Sequence, residues 1–233
     1  MTIGNEVVSG DIENTNASWL ARRLEELGVV VKLVAAVPDE VDAIADIVSR
    51  EAPRVDHLLV TGGLGGTPDD VTREAVSAAF GLEQEEHPEI AARLRARFQR
   101  APDYAARWAR LPRGARPVEI EHGGAPGFVL QNVFVFPGLP GEMRPMFETV
   151  ADELRREQPI AAWRRTFETR ESEIAAVLVE AGRRYPDVLV GSYPAFTPEG
   201  PRVEVVAKSG DPELLAEAQA WLEAELDELV SDT

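Results

Sequence analysis

The residues best suited to chemistry lie between positions 57 and 80. His57-Leu58-Leu59-Val60 reads as a short strand that runs straight into Thr61-Gly62-Gly63-Leu64-Gly65-Gly66-Thr67. A helix is predicted to begin near Asp69 or Asp70 and to end at Phe80-Gly81. Glycines let a backbone approach a phosphate with no Cβ in the way, and a helix N-terminus offers free N–H groups to an anion. Asp69 and Asp70, at the helix start, suit a hard cation such as Mg²⁺ that would bridge phosphate oxygens. A glycine turn followed by an aspartate N-cap needs no ligand, yet two adjacent aspartates exceed what one cap requires. Two further loops lead into helices: the polar run 4–16, and Pro137-Gly138-Leu139-Pro140-Gly141 before Glu142. Taken singly, each is what an ordinary connection would look like.

Strand and helix signals alternate around these loops. Leu20, Leu24 and Leu27 recur at helical spacing, with Asn16 as the cap and Gly28 as the stop. Val29-Val30-Val31 and Leu33-Val34 read as a buried strand. Asp39 is the expected cap of a second helix with the apolar stripe Val41, Ile44, Ala45 and Val48. Residues 88–110 read as helical, in a stretch carrying Arg93, Arg95, Arg97, Arg100, Arg107, Arg110, Arg113 and Arg116. That stretch is either a lid that neutralises phosphates or, as charge runs usually are, a solvated face paired with acidic neighbours. Short strands follow at Val118–Ile120, Phe128–Leu130 and Val133–Phe136, then a helix at Glu142–Leu154. Repeated strand–helix units predict an α/β domain over 1–157, its mostly parallel sheet covered by helices on both faces. The pattern restarts around Gln158-Pro159, where a β-α-β-β-α order predicts a small α+β domain over 160–233.

Composition narrows the function classes. No run of about 18 apolar residues exists to span a membrane, and the N-terminus lacks the basic start and apolar core of a signal peptide. A soluble cytoplasmic protein is expected. The absence of cysteine excludes disulfides, zinc–thiolate sites and thiol catalysis. A formal charge of −17 repels nucleic-acid backbones and anionic lipid surfaces, so neither is an expected partner. His57, His87 and His122 lack metal-ligand spacing, and Trp19, Trp108, Trp163 and Trp221 read as core or interface residues. No Gly-Lys-Ser/Thr phosphate loop, no Gly-x-Ser-x-Gly elbow and no zinc signature occurs.

Several motifs, in order, resemble the molybdopterin-binding-like domain of the CinA (competence/damage-inducible) type, related to MoaB and MogA. They are Gly4-Asn5-Glu6 with Gly10 and Asn14-Thr15-Asn16; Thr61-Gly62-Gly63-Leu64-Gly65 with Thr67, Asp69-Asp70 and Thr72; and Leu139-Pro140-Gly141-Glu142-Met143. His122-Gly123-Gly124-Ala125-Pro126-Gly127 fits a further family turn loosely. Glu171-Ser172-Glu173-Ile174-Ala175 and Gly191-Ser192-Tyr193-Pro194 look like the small domain that follows. The resemblance covers nearly the whole chain. It has no counterpart of the deamidase domain of longer CinA proteins.

The resemblance implies a three-layer α/β/α domain with its pocket at the glycine loop, and a nucleotide or molybdopterin as ligand. It implies metal-dependent hydrolysis of ADP-ribose-like substrates, with molybdopterin binding or adenylyl transfer, or non-catalytic binding, as alternatives. For the hydrolase, N–H groups of Gly62, Gly63, Leu64, Gly65 and Gly66 would seat a diphosphate. Asp69 and Asp70, with Glu6, would hold Mg²⁺, Mn²⁺ or Co²⁺. Thr67 and Thr72 would orient phosphate oxygens, Thr61 would be a further ligand-binding residue, and Asn14 and Asn16 would read the base or ribose. Gly138, Pro140, Gly141 and Glu142 would be ligand-binding residues as well, Glu142 either touching the ligand or capping its own helix. A homo-oligomer is compatible with the family. Three departures stand out: Asn5 where the family has Asp, Gly66 where it has Pro, and only Met1-Thr2-Ile3 where it has a first strand. Gly66 is expected to loosen the loop and enlarge the pocket; the short start suggests a truncated first strand or a start codon placed too far downstream.

Only Lys32 and Lys208 of the 24 basic residues are lysines. With the acidic balance and abundant Ala and Val, this composition suggests a high-GC, archaeal-type halophile with a salty cytoplasm. At molar salt the Debye length is about 3 Å, which screens the self-repulsion of −17 charges. Thermal unfolding with and without molar KCl is therefore expected to show a higher midpoint in salt, and an unchanged midpoint contradicts the halophilic reading.

Overall fold

The computed structural model describes residues 1–121, 123–155 and 160–231, so His122 and the Gln158-Pro159 restart lie outside the described residues. It divides into two units: Met1–Leu24 with Val30–Arg155, and Glu25–Val29 with the described residues from 160 onward. Among the described residues no helix is long and apolar enough to cross a membrane.

The strands of the first unit are β1 (Thr2–Ile3), β2 (Ala36–Val37), β3 (Leu58–Thr61), β4 (Gln84–Glu86), β5 (Arg110–Pro112), β6 (Arg116–Val118), β7 (Gly127–Leu130) and β8 (Val133–Phe136). Its helices are α1 (Asn5–Val8), α2 (Thr15–Glu26), α3 (Val41–Glu51), α4 (Thr72–Ala79), α5 (Pro88–Arg97), α6 (Pro102–Ala106), α7 (Pro140–Glu148) and α8 (Ala151–Leu154). A six-stranded sheet has the order β2-β1-β3-β8-β7-β6. Its first three pairings are parallel and its last two antiparallel. This is the three-layer, mostly parallel α/β architecture read from the sequence.

Strand β8 shows why both faces must be covered. Its side chains alternate, as strand geometry requires. Val133 and Val135 join a core with Ile44 and Val48 of α3 and Ala75 and Val76 of α4. Phe136 meets Phe147 of α7 at 6.0 Å between rings, and Trp19 of α2 packs edge-on against the same phenylalanine at 5.5 Å. An apolar run therefore becomes a strand buried on both sides. The segment between β4 and β5 gathers its own small core from Ile90, Ala91, Leu94, Ala105, Ala106 and Ala109.

Several sequence expectations are corrected. Residues 29–34 are not a buried strand: Val30, Leu33 and Val34 are more than half exposed, and only Ala36–Val37 pairs. A strand needs a neighbour for its backbone groups, and β1 offers β2 only Thr2 and Ile3. Those two residues do form a strand between β2 and β3. Asn14, not Asn16, caps α2 by accepting the Ala17 N–H at 3.1 Å. Asp39 makes no cap for α3, which follows Glu40. Helix α4 starts at Thr72 rather than at Asp69 or Asp70, because Asp70 turns back onto the preceding loop. The helix expected over 88–110 is broken into α5, α6 and a short 3₁₀ turn, and the β4–β5 pair has no sequence forecast. The helix expected over 142–154 is interrupted between α7 and α8.

The second unit is β9 (Ala161–Phe167), α9 (Glu171–Arg184), β10 (Leu189–Thr197), β11 (Gly200–Ser209) and α10 (Pro212–Ser231), the β-α-β-β-α order expected. Its sheet is antiparallel in the order β10-β11-β9. Val203, Val205 and Ala207 of β11 pack with Ile174 and Ala181 of α9 and Leu222 and Leu226 of α10.

Phe147 is fully buried and joins two aromatic contacts. Phe147→Ala is expected to cost about 3–5 kcal/mol in denaturant unfolding, the range for emptying a phenylalanine site. A loss below about 1 kcal/mol would mean that the α2–α7 layer does not depend on this ring.

Candidate functional site

Strand β3 ends at Thr61, and the chain must then turn away from the sheet. Gly62 (φ 102°) and Gly63 (φ 63°) adopt left-handed backbone that favours glycine. A Cβ on Gly62 would lie 2.1 Å from the Ile3 carbonyl oxygen, and one on Gly63 would lie 2.2 Å from Thr72 Oγ1. The first half of the glycine run is thus imposed by the turn.

The loop is held from behind by three residues at and before the start of α4. The Thr72 hydroxyl donates to the Gly62 carbonyl at 2.8 Å, and the Thr72 N–H to the Gly63 carbonyl at 3.1 Å. Asp70 Oδ1 accepts the Gly65 N–H at 2.8 Å, while Oδ2 accepts the Thr67 N–H at 2.7 Å and the Thr67 hydroxyl at 2.5 Å. The Arg73 guanidinium donates to the Leu64 carbonyl at 2.6 Å and the Gly65 carbonyl at 2.8 Å. Gly62 N–H is taken by Phe136 O. The N–H groups of Gly63, Leu64 and Gly66 have no acceptor among the described residues. Asp70 is thus a brace of the loop, with both oxygens engaged. Thr72 and Arg73 are buried; Asp69, beside them, is exposed.

Other loops close around this one. Gly138 abuts Gly62, where an added Cβ would sit 3.3 Å from the Gly62 Cα. Asn16 Nδ2 donates to Gly138 O at 2.7 Å, while its Oδ1 and Thr61 Oγ1 are buried without a partner among the described residues. Asn14 serves the framework, its Oδ1 accepting both the Ala17 N–H and the Thr2 hydroxyl. Pro140 and Gly141, in the first turn of α7, are exposed. Glu142 neither caps its own helix nor stands free: its Oε1 accepts the Gly124 N–H at 3.1 Å, tying the 123–126 turn to α7.

Gly66 does not enlarge a pocket. A Cβ there would lie 2.6 Å from Trp108 Nε1 and 2.8 Å from the Tyr104 ring, so the space is filled by aromatic side chains from the segment between β4 and β5. Trp108, expected as a core or interface residue, packs against the core and also stands at the loop, its indole nitrogen buried and without an acceptor among the described residues. In the arginine-rich stretch 93–116, Arg93 pairs with Glu119, Arg95 with Asp103, Arg113 with Glu83 and Arg116 with Glu153, all on exposed side chains, which is the solvated-face arrangement.

An acidic side faces the loop. Asp39 follows β2, and its Oδ2 accepts the Asn5 N–H at 2.7 Å. Desolvation raises the Asp39 carboxyl above its ordinary value, the Asn5 N–H opposes this, and the charges of Glu6, Asp69 and Asp70 raise it further. Asp69 is held below the usual carboxylate range by its neighbour Thr67 and its own N–H. Asp39 is the site residue that sequence reading missed. Its signal was its place just past the carboxyl end of a strand, where such sheets bind ligands.

A glycine loop at the carboxyl edge of parallel strands, backed by a helix start, defines an α/β ligand-binding domain. Residues 1–156 match the family described as a probable molybdopterin binding domain, and the chain belongs to that family. Residues 165–232 match the middle domain of FAD synthase. A protein of Archaeoglobus fulgidus is 35% identical over 198 residues, covering 83% of this chain and 84% of that one. A CinA-like protein of Frankia casuarinae is 33% identical across 99% of this chain, which spans 55% of the longer protein. Among solved structures, CinA of Thermoplasma acidophilum, described as of unknown function, is similar at 29% identity and a TM-score of 0.61, covering 66% of this chain and 94% of that one.

The raised Asp39 carboxyl has a sign that can be tested. A carboxyl raised in the folded state favours folding below its unfolded value, and that contribution is lost as pH rises through the folded value. Asp39→Asn keeps an oxygen for the Asn5 N–H and removes the charge. Its melting temperature is expected to exceed the wild type's at pH 7, with the gain fading as pH falls into the carboxylate range. A lower melting temperature at pH 7 would show that the charge is not a burden there.

Proposed function

We propose that the first unit binds a phosphate-bearing nucleotide or pterin on the glycine loop and, with a divalent metal, hydrolyses phosphoanhydrides of the ADP-ribose kind. One observation carries this reading: Asp70, Thr72 and Arg73 take up inward polar groups of the loop, while the N–H groups of Gly63, Leu64 and Gly66 are left without acceptors among the described residues. Clustered peptide N–H groups in a turn of this kind form a cradle for phosphoryl oxygens. The family match over 1–156 supports a ligand of the pterin or nucleotide class.

Among the described residues no three acidic or histidine side chains converge to hold a metal ion by themselves. Asp69, kept ionised, and Asp39, which feels the charges of both Asp69 and Glu6, still fit an ion such as Mg²⁺, Mn²⁺ or Co²⁺ that takes one or two carboxylates and completes its shell from phosphates and water. Such an ion would polarise the phosphoanhydride and acidify a bound water. The chain's own contribution is to seat the phosphates on the loop N–H groups and to offer Thr61 Oγ1 and Asn16 Oδ1 to the ligand's polar atoms. The family match favours a second reading, molybdopterin binding or adenylyl transfer. The engagement of Asp70 and the presence of Asn5 favour a third, binding without catalysis.

The test is AMP release from ADP-ribose with Mg²⁺, Mn²⁺ or Co²⁺ in molar KCl, with Asp69→Ala and Asp70→Ala assayed separately. The hydrolase reading expects metal-dependent release that Asp69→Ala abolishes. Asp70→Ala is expected to weaken both activity and stability, since it leaves three loop donors without an acceptor at about 1–3 kcal/mol where they are buried. A folded protein that binds nucleotide or pterin but releases no AMP would replace the hydrolase with a binding role.

A further inference from the structure

Arg73 is a cation in a place that disfavours cations. It is 8% exposed and is the second residue of α4, at the positive end of the helix dipole. Its burial pulls its pKa down from the ordinary value. Buried charges are normally paired with an opposite charge. Arg73 has no carboxylate within 4.0 Å among the described residues; its hydrogen-bond partners there are two neutral carbonyl oxygens, those of Leu64 and Gly65. Asp70 acts on it only at longer range, and both Asp70 oxygens are already engaged by loop donors.

The carbonyl contacts have a directional effect. In a trans peptide the C=O and the following N–H point in opposite directions. Drawing the Gly65 carbonyl inward therefore turns the Gly66 N–H away from Arg73, to the outer side of the loop. Beside Gly66 lies the Trp108 indole nitrogen, a second donor without an acceptor among the described residues. A buried cation and two orphan donors around one loop position lack one thing, an anion.

We propose that Arg73 is the resident countercharge and positioning residue for the ligand's phosphoryl group, aiming the Gly66 N–H beside the Trp108 indole N–H, so that the loop holds an anion before any metal is present. This rests on the phosphate-binding reading of the same loop. Arg73 does not touch the ligand; it acts through the peptide it holds and through its charge.

The probe is inorganic pyrophosphate, titrated into the full chain in EDTA at several KCl concentrations. Wild type is expected to bind, more weakly as salt rises. Arg73→Met, which keeps most of the packing, is expected to bind about tenfold to a hundredfold more weakly and with a flatter salt dependence. Arg73→Lys is expected to recover most of the affinity and the slope, because it restores the charge. A brace without an electrostatic role would instead leave the slope unchanged and Lys as poor as Met. Should Arg73→Met fail to fold, the wild-type indole ¹⁵N–H resonance of Trp108, assigned with Trp108→Phe, supplies the readout: a shift on adding pyrophosphate is expected, and no shift at saturation overturns the proposal. Binding within twofold of wild type by a folded Arg73→Met also overturns it. Pyrophosphate binding that appears only with metal overturns this proposal and spares the phosphate-binding reading. No binding of pyrophosphate, ADP-ribose or pterin under either condition overturns both.

Discussion

A loop that turns through two left-handed glycines and runs beneath other loops cannot leave its peptide groups to solvent; each must find a partner or cost the desolvation of a polar group. Residues 70–73 meet most of that demand. Asp70 accepts from the loop, Arg73 donates to it, and Thr72 donates twice, once from its hydroxyl and once from its backbone. The start of α4, the position of Gly66 and the direction of the free N–H groups follow from this bracing. Remove it and the carboxyl edge of the sheet keeps its strands but loses the arrangement that distinguishes it from a simple turn.

The same bracing divides charge across the site. The loop side is positive in character, with Arg73 beneath it and unpaired donors on it. Against it stand the acidic groups Glu6, Asp39 and Asp69; the Asp39 carboxyl is raised first by its desolvation and further by the neighbouring charges. A phosphate beside a cation complements both sides at once, whereas either alone complements one. Asp70 stands at the boundary and is spoken for by the loop, so the acidic side is poorer in free carboxylate than two adjacent aspartates suggest.

Local patterns made much of this legible. The apolar alternation of β8, the helical stripes of α2 and α3, the glycine run and the β-α-β-β-α order of the second unit are all properties of neighbouring residues. What escaped depends on contacts between distant ones. Asp39 joins the site because Asn5, 34 residues earlier, donates to it. Trp108 looks like any core aromatic until the fold sets it against Gly66. Arg73 sits in a helix that has every reason to carry an arginine on its surface, and only burial reveals it as unusual. Residues 29–34 have strand composition, but strand composition cannot provide a neighbouring strand.

That last segment bears on how separate molecules behave toward one another. Val30, Val31, Leu33 and Val34 form an exposed apolar run beside the edge of the sheet, the kind of surface that invites another chain to add a strand. In dilute salt, the mutual repulsion of bodies carrying −17 charges keeps such edges apart at long range. At molar salt that range contracts to about 3 Å, less than the spacing between paired strands. Lys32, one of the two lysines in the chain, interrupts the run at its centre. A lysine on an edge is a short-range deterrent, since any incoming strand must accommodate its charge. In a salty solvent, colloidal stability at this edge would then fall to a single side chain and the irregular backbone around it.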